Sequence, residues 1–255
     1  MSKIELCTNM NGKMKGICSI STSVTSNPNC QKNHKIAKSI CEHCYSHQMA
    51  KMYVALDQKN QRNTDALTHK LLPIKDLPII DEKKFPYCRL EAFGDLHNEI
   101  HLHNYMNIVK KNPKVKWALY TKMYSLALNY FKTHKVPKNF TLVISSLFVN
   151  KPIDLTSYRK ITNFAPGQLK VFTVWDSDYI KKHHKEINLN CGARSCFKCH
   201  ACYDYRNHPI ENINEILKSD QATIGVFEGL NNPALRQQSV NEIAEFIIDT
   251  TKLFI

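Results

Sequence analysis

Four cysteines, Cys191, Cys196, Cys199 and Cys202, fall within the twelve-residue stretch CGARSCFKCHAC at spacing C-x4-C-x2-C-x2-C. The thiolate is the metal-ligating form of cysteine, and neighbours this close can meet on one inorganic centre without a long loop. Structural zinc usually takes paired cysteines from two separated knuckles, whereas consecutive C-x2-C steps are the habit of iron–sulfur ligation. The spacing therefore points to a [4Fe-4S] cluster, with structural zinc as the alternative. Disulfides are disfavoured, because adjacent C-x2-C steps make poor staples. A second group lies upstream, where Cys30, Cys41 and Cys44 form C-x10-C-x2-C. Three thiolates can hold a four-iron cluster and leave one iron open to a ligand; a fourth closes it. Cys18 is the candidate fourth ligand, and with it the group would suit tetrahedral zinc. Burial as packing residues is the plain alternative, since free cysteine is among the most buried residue types.

The elements that must position these thiols follow from the rest of the chain. Strand patterns occupy residues 16–22, 88–94, 115–122, 140–146, 169–176 and 222–228. Helical periodicity covers 45–56, 64–72, 98–111, 124–133 and 240–253. The strands at 88, 115 and 140 start 25–27 residues apart with helical segments between them, as β-α units do. The expected fold is α/β: a parallel β/α partial or full barrel forming a single domain over residues 1–255. The stretch 177–221 is too long for an ordinary loop and reads as a cysteine-rich metal-binding insertion.

The ends of the strands are the second chemical feature. In parallel α/β folds the C-terminal strand ends form the active-site face. Here they carry Gly94, Asp95, Lys122, Ser145, Ser146 and Glu228, together with Trp175 and Asp176. Smaller signals accompany them. His97 and His101 stand four apart, a spacing that can bind a metal and more often marks a solvated face. Tyr45 and Tyr203 each follow a cysteine, where they could shield a cluster or simply pack. Trp175 could stack on a base, although core packing is the commoner use. The run KKHHK at 181–185 is the densest basic patch.

Composition bounds the function. The 255 residues include ten cysteines, and the net charge is +13 with twelve further histidines. Such a balance favours an anionic partner, a small molecule or nucleic acid. Only seven glycines occur, and neither G-x-G-x-x-G nor a Walker loop is present, which removes the commonest nucleotide cradles. No apolar run approaches the roughly 18 residues of a membrane span, and the N-terminus lacks a signal-peptide core. The expectation is a cytoplasmic protein with no membrane partner.

The order of motifs carries a resemblance. Cys41-Glu-His-Cys44-Tyr45, then Arg89-Leu-Glu-Ala-Phe-Gly-Asp95, Leu119-Tyr-Thr-Lys122, a Ser-Ser strand end and a late cysteine cluster recur in that order in a phage family called gene product 88, which the chain resembles over most of residues 14–230. That family is similar in layout to radical S-adenosylmethionine (SAM) enzymes. The resemblance implies a partial β/α barrel, an iron–sulfur cluster in the first loop, SAM on its open iron, and the host cytoplasm as location. By the same likeness Gly94 and Asp95 would face the methionine amine, and Ser145 and Ser146 the ribose or carboxylate. Three features depart from the radical SAM pattern: the first cysteine gap is ten residues instead of three, His43 stands where an aromatic precedes the last cysteine, and the glycine pair is reduced to the single Gly94. The leading reading is a radical SAM-like iron–sulfur enzyme acting on an anionic substrate. Its rivals are a zinc-stabilised nucleic-acid-binding protein without catalysis and an electron-transfer or redox module.

Overall fold

The computed structural model describes residues 4–192 and 195–217. Six short strands form one sheet: β1 (Cys18–Ile20), β2 (Tyr87–Leu90), β3 (Lys116–Thr121), β4 (Phe140–Ser145), β5 (Leu169–Trp175) and β6 (Asn212–Ile216). They lie side by side in chain order, and every neighbouring pair is parallel. A parallel strand is covered on both faces and so reads as an apolar run, as Phe140-Thr-Leu-Val-Ile-Ser145 does, buried at every position. Chain-order parallel pairing brings all the strand C-termini to one edge and yields the parallel β/α partial barrel expected from the sequence.

The helices are α1 (Pro28–His34), α2 (Tyr45–Met52), α3 (Val54–Leu67), α4 (Glu99–Lys111), α5 (Tyr124–Thr133), α6 (Thr156–Ile161), α7 (Ser177–Lys182) and α8 (Cys196–Cys199). Strand side chains alternate between two faces. Leu90, Trp117, Leu119, Phe140, Leu142, Ile144 and Val171 face the helices and share a core with Leu102, Tyr105, Met106, Val109 and Phe131. The opposite, inner face is different. Ala118 there packs with Ile17 and Tyr203, and Tyr87, Tyr120, Cys196 and Cys202 border that second cluster. The cysteine-rich segment therefore covers the inner face of the sheet.

Two sequence readings shift. The helix expected at 64–72 instead runs from Val54 to Leu67, separated from α2 at Tyr53. Beyond Leu67 the buried Asn104 amide takes the carbonyls of Leu67 and Lys70 and accepts from Leu72 N, so a side chain satisfies the backbone groups a longer helix would have used. β6 lies inside the stretch read as an insertion. Its sequence, NINEI, has two apolar residues in five and sits half-exposed at the sheet edge, which leaves little strand signal. The strand expected at 222–228, with Glu228, and the helix expected at 240–253 lie outside the described residues. No helix among the described residues is long and apolar enough to cross a membrane.

Candidate functional site

The chain leaves β1 through Thr22 and enters α1, where Cys30 occupies the first turn. Pro28 starts this helix, and the Asn27 side-chain oxygen caps it, accepting from Asn29 N at 2.9 Å and Cys30 N at 3.2 Å. The Asn27 amide also donates to Asp95 O at 2.7 Å, and the Asn29 amide donates to the carbonyls of Leu96 (2.9 Å) and His97 (3.1 Å). These bonds fasten the Cys30 helix to the loop after β2. The Cys41 turn is held on its other side, since Ile40 N donates to Leu147 O, just past β4, at 2.8 Å. His34 Nδ1 lies 2.8 Å from Cys41 O, and its ring stacks on His47 at 4.3 Å. Cys44 then stands at the N-terminus of α2.

These three cysteines come together electrostatically. Burial pushes the Cys30 thiol far up, and the charges of Asp95, Glu91, Cys44 and Cys41 push it the same way. The Cys41 thiol is pushed up to about 11, first by burial and then by Cys44 and Asp95, while Lys122 pulls it down. Burial lowers the Lys122 ammonium, but Cys41, Asp95, Cys44 and Cys30 around it raise it more. Lys122, at the end of β3, is therefore the cation among the three thiols. Cys18 does not join them. It pairs across the sheet with Cys88, fully buried on the helix-facing side.

Asp95 is a clamp between strand ends. Its carboxylate accepts from Leu96 N (2.7 Å), from Lys122 N (2.9 Å) and from the Thr121 hydroxyl. Gly94 has φ +101°, and a Cβ there would sit 2.6 Å from both Glu91 Oε2 and Thr22 O, so only glycine fits. Beneath it Glu91, itself at φ +58°, accepts from the Tyr105 hydroxyl (2.6 Å), the Thr22 hydroxyl (2.9 Å) and Thr22 N (3.2 Å). Burial pushes the Glu91 carboxyl up to about 8 against those hydrogen bonds. His101 is fully buried with Nε2 3.5 Å from Glu91 Oε1. Asn98 caps α4, so His97 precedes the helix and does not share its face; the two rings instead meet edge-on at 5.5 Å.

The late cysteines gather on the inner face. Cys191 N bonds Asn214 O on β6 at 3.0 Å. α8 carries Cys196 and Cys199, with the Ser195 hydroxyl capping Lys198 N. His200 follows at φ +38° and stacks on Tyr87. The Cys202 thiol is pushed up to about 11 by burial, opposed by its bond to the Tyr120 hydroxyl and by Arg89, and raised further by Cys196 and Cys199. Cys191 is pushed up to about 12, by burial and by Glu215, Cys202 and Cys196, with Lys13 opposing. Lys13 and Glu215 form an ion pair beside it. Arg89 lies over the Tyr120 ring at 3.8 Å. All ten cysteines are free thiols. Among the described residues, no three His, Cys, Asp or Glu side chains stand close enough to bind one single metal ion.

A family model described as "Gene product 88" matches residues 3–205. The chain belongs to the gene product 88 family. No curated protein and no solved structure matches it. The match to this phage family spans both cysteine groups and the strand ends of β2 to β5.

Of the strand-end residues expected from sequence, this gene product 88 chain brings Asp95 and Lys122 to the early cysteines. Ser145 is buried at the end of β4, and the Ser146 hydroxyl lies 3.3 Å from that of Thr173. Trp175 is a packing residue, its indole donating to Asn214 Oδ1 at 2.9 Å and its ring stacked on Tyr179. Tyr45 donates to Ala92 O, and Tyr203 is buried against Tyr87. The basic run at 181–185 closes α7, where His183 stacks on Tyr179. Sequence reading missed Asn27, Glu91 and Arg89. Asn-Pro before a cysteine is a readable cap signal, and a glutamate and an arginine inside a strand pattern are visible anomalies.

Proposed function

We propose that this chain is an iron–sulfur protein and a radical SAM-like enzyme acting on an anionic substrate. The observation that carries the proposal is the meeting of Cys30, Cys41 and Cys44 with Lys122 and Asp95 at one edge of a parallel sheet. Three thiols with no fourth cysteine beside them suit a cluster with one open iron. Burial pushes the Cys30 and Cys41 thiols up, neighbouring negative charge adds to it, and a bound cation reverses that field. The chemistry of the donor set fits iron better than zinc. A tetrahedral zinc holds its sulfurs about 3.8 Å apart, given Zn–S near 2.3 Å; a four-iron cluster spreads its cysteines more widely, in keeping with thiols that feel one another without converging on a single point. The late four thiols suit a second, closed cluster.

A cluster held by these residues, reduced by an external electron donor, would supply one-electron chemistry to SAM. The chain's own residues hold, orient and shield. Cys30, Cys41 and Cys44 are the ligands, and Lys122 sets a positive charge beside them. Asn27 and Asp95 fix the Cys30 helix relative to β2 and β3. Tyr45 and Phe93, edge to face at 6.0 Å, cover the approach from α2. The net charge of +13 supports an anionic substrate.

The test is anaerobic purification with iron and sulfide analysis, followed by electron paramagnetic resonance of the reduced protein with and without SAM. The expected result is a SAM-dependent spectral change, lost in Cys44→Ala. Cys199→Ala should remove one cluster's worth of iron and leave the SAM response. Stoichiometric zinc without sulfide would refute the cluster. Intact clusters with no response to SAM would leave an iron–sulfur protein and refute the radical SAM assignment.

A further inference from the structure

The opposite edge of the sheet holds a separate feature. A cavity of about 400 Å³ is lined by Gly12, Lys15, Gly16, Lys84, Ser195, Phe197 and Lys198. Gly16 precedes β1 and Lys84 precedes β2, so the cavity opens at the N-terminal ends of these strands, away from the early cysteines. Its third wall is α8. Three lysines and no acidic residue line it, and the Lys84 ammonium lies 5.3 Å from the centre of the Phe85 ring. Of the acidic side chains near these segments, Glu215 pairs with Lys13 and Glu82 with Lys114, while Asp81 accepts from the backbone N–H groups of Lys83 and Lys84. The Phe197 ring is 38% exposed. Tyr87 packs on it edge-on at 5.8 Å. Gly16, at φ +88°, lets the chain pass beneath it, since a Cβ there would lie 3.2 Å from the ring.

We propose that this cavity binds a nucleoside di- or triphosphate, with Lys15, Lys84 and Lys198 on the phosphates and Phe197 beneath the base. The volume falls in the range of small-molecule sites, roughly 300–1,000 Å³. Three lysines around one concavity with no acidic residue in its lining give a positive field that a polyphosphate neutralises. An exposed aromatic ring gives any base a face to stack on without selecting among bases. Lys84 comes from the segment before β2 and Lys198 from α8, so ligand binding ties the cysteine-rich segment to the sheet. The proposal does not depend on a cluster at either cysteine group.

The test is calorimetric titration of the purified full chain with ATP, with inorganic triphosphate and with a short single-stranded DNA. Lys84→Glu and Lys198→Glu should each weaken ATP about tenfold, because each reverses a charge facing several phosphate charges. Lys160→Glu, the same charge change at an exposed position on α6, should leave ATP binding within about twofold. Phe197→Leu should weaken ATP and leave triphosphate unchanged. Since Phe197 lies between two cysteines, circular dichroism checks that variant, and Lys84→Glu carries the test from outside the cysteine segment. No saturation by ATP at millimolar concentration would overturn the proposal. So would an equal loss in Lys160→Glu, which would mean a diffuse field, or DNA binding tighter than ATP and indifferent to Lys84→Glu.

Discussion

Asn27→Ala should loosen the Cys30 helix from the sheet. The Asn27 side chain is fully buried and makes three bonds, accepting from Asn29 N and Cys30 N and donating to Asp95 O at 2.7 Å. Alanine removes all three. Losing the cap costs about 1 kcal/mol. The Asp95 carbonyl keeps only a 3.5 Å contact from the Thr22 hydroxyl, so it is close to stranded. A stranded buried acceptor costs about 1–3 kcal/mol. The sum is about 2–4 kcal/mol. At roughly 2–4 °C per kcal/mol for a chain of this size, Tm should fall by about 4–16 °C. Asn27→Ser keeps a capping oxygen and loses the bond to Asp95, and should fall about half to three-quarters as far. The assay is thermal unfolding by circular dichroism on metal-free protein, so that ligation does not mask the change. A Tm within about 1 °C of wild type in Asn27→Ala would refute the fastening. Equal losses in the alanine and serine variants would show that the cap adds nothing.

Gly94→Ala should lower Tm by more than Asn27→Ala, because it combines a positive φ worth about 1–2 kcal/mol with a Cβ placed 2.6 Å from two oxygens; a wild-type Tm would disprove the close approach. Glu91 gives a pH-dependent signature. Its folded carboxyl is raised to about 8 from an ordinary 4.5, so its favourable contribution is complete below about 4.5 and is lost as pH rises through 8. Wild-type Tm should therefore drop between pH 5.5 and 8.5 by more than that of Glu91→Gln, and parallel curves for the two proteins would contradict the assignment.

Legibility divides along physical lines. β2 to β5 stood out in the sequence because buried parallel strands are apolar on both faces, and the helices at 99–111 and 124–133 because each presents an amphipathic stripe. β6 hid because an edge strand is half-solvated and tolerates Asn and Glu. The cysteine groups were legible by spacing, which is local. Their surroundings were not. That Lys122 stands among Cys30, Cys41 and Cys44, and that Arg89 stands beside Cys202, depends on register between strands 29 residues apart in the chain, Tyr87 opposite Lys116. Cys18 shows the same limit. Its spacing made it a candidate ligand, and the pleat turned it to the helix-facing core beside Cys88.

Arg89 connects the two cysteine groups. It points from β2 onto the inner face, over Tyr120, with Cys202 and Tyr203 on one side and Tyr45, next to Cys44, on the other. Its Nε is buried without a hydrogen-bond partner, and no carboxylate among the described residues pairs with it. A guanidinium in that position is costly unless negative charge stands nearby. Phenols and protonated thiols do not supply it. Thiolates do, and Cys196 and Cys202 both feel Arg89 as a group that eases their ionisation. The same holds at the other edge, where Lys122 sits among three thiols and a carboxylate already saturated by backbone and hydroxyl donors. Each cysteine group thus has its own half-buried cation. Packing alone gives no reason to place a cation beside a neutral thiol, and the ligated thiolates of the clusters proposed above would supply the negative charge that such a cation offsets.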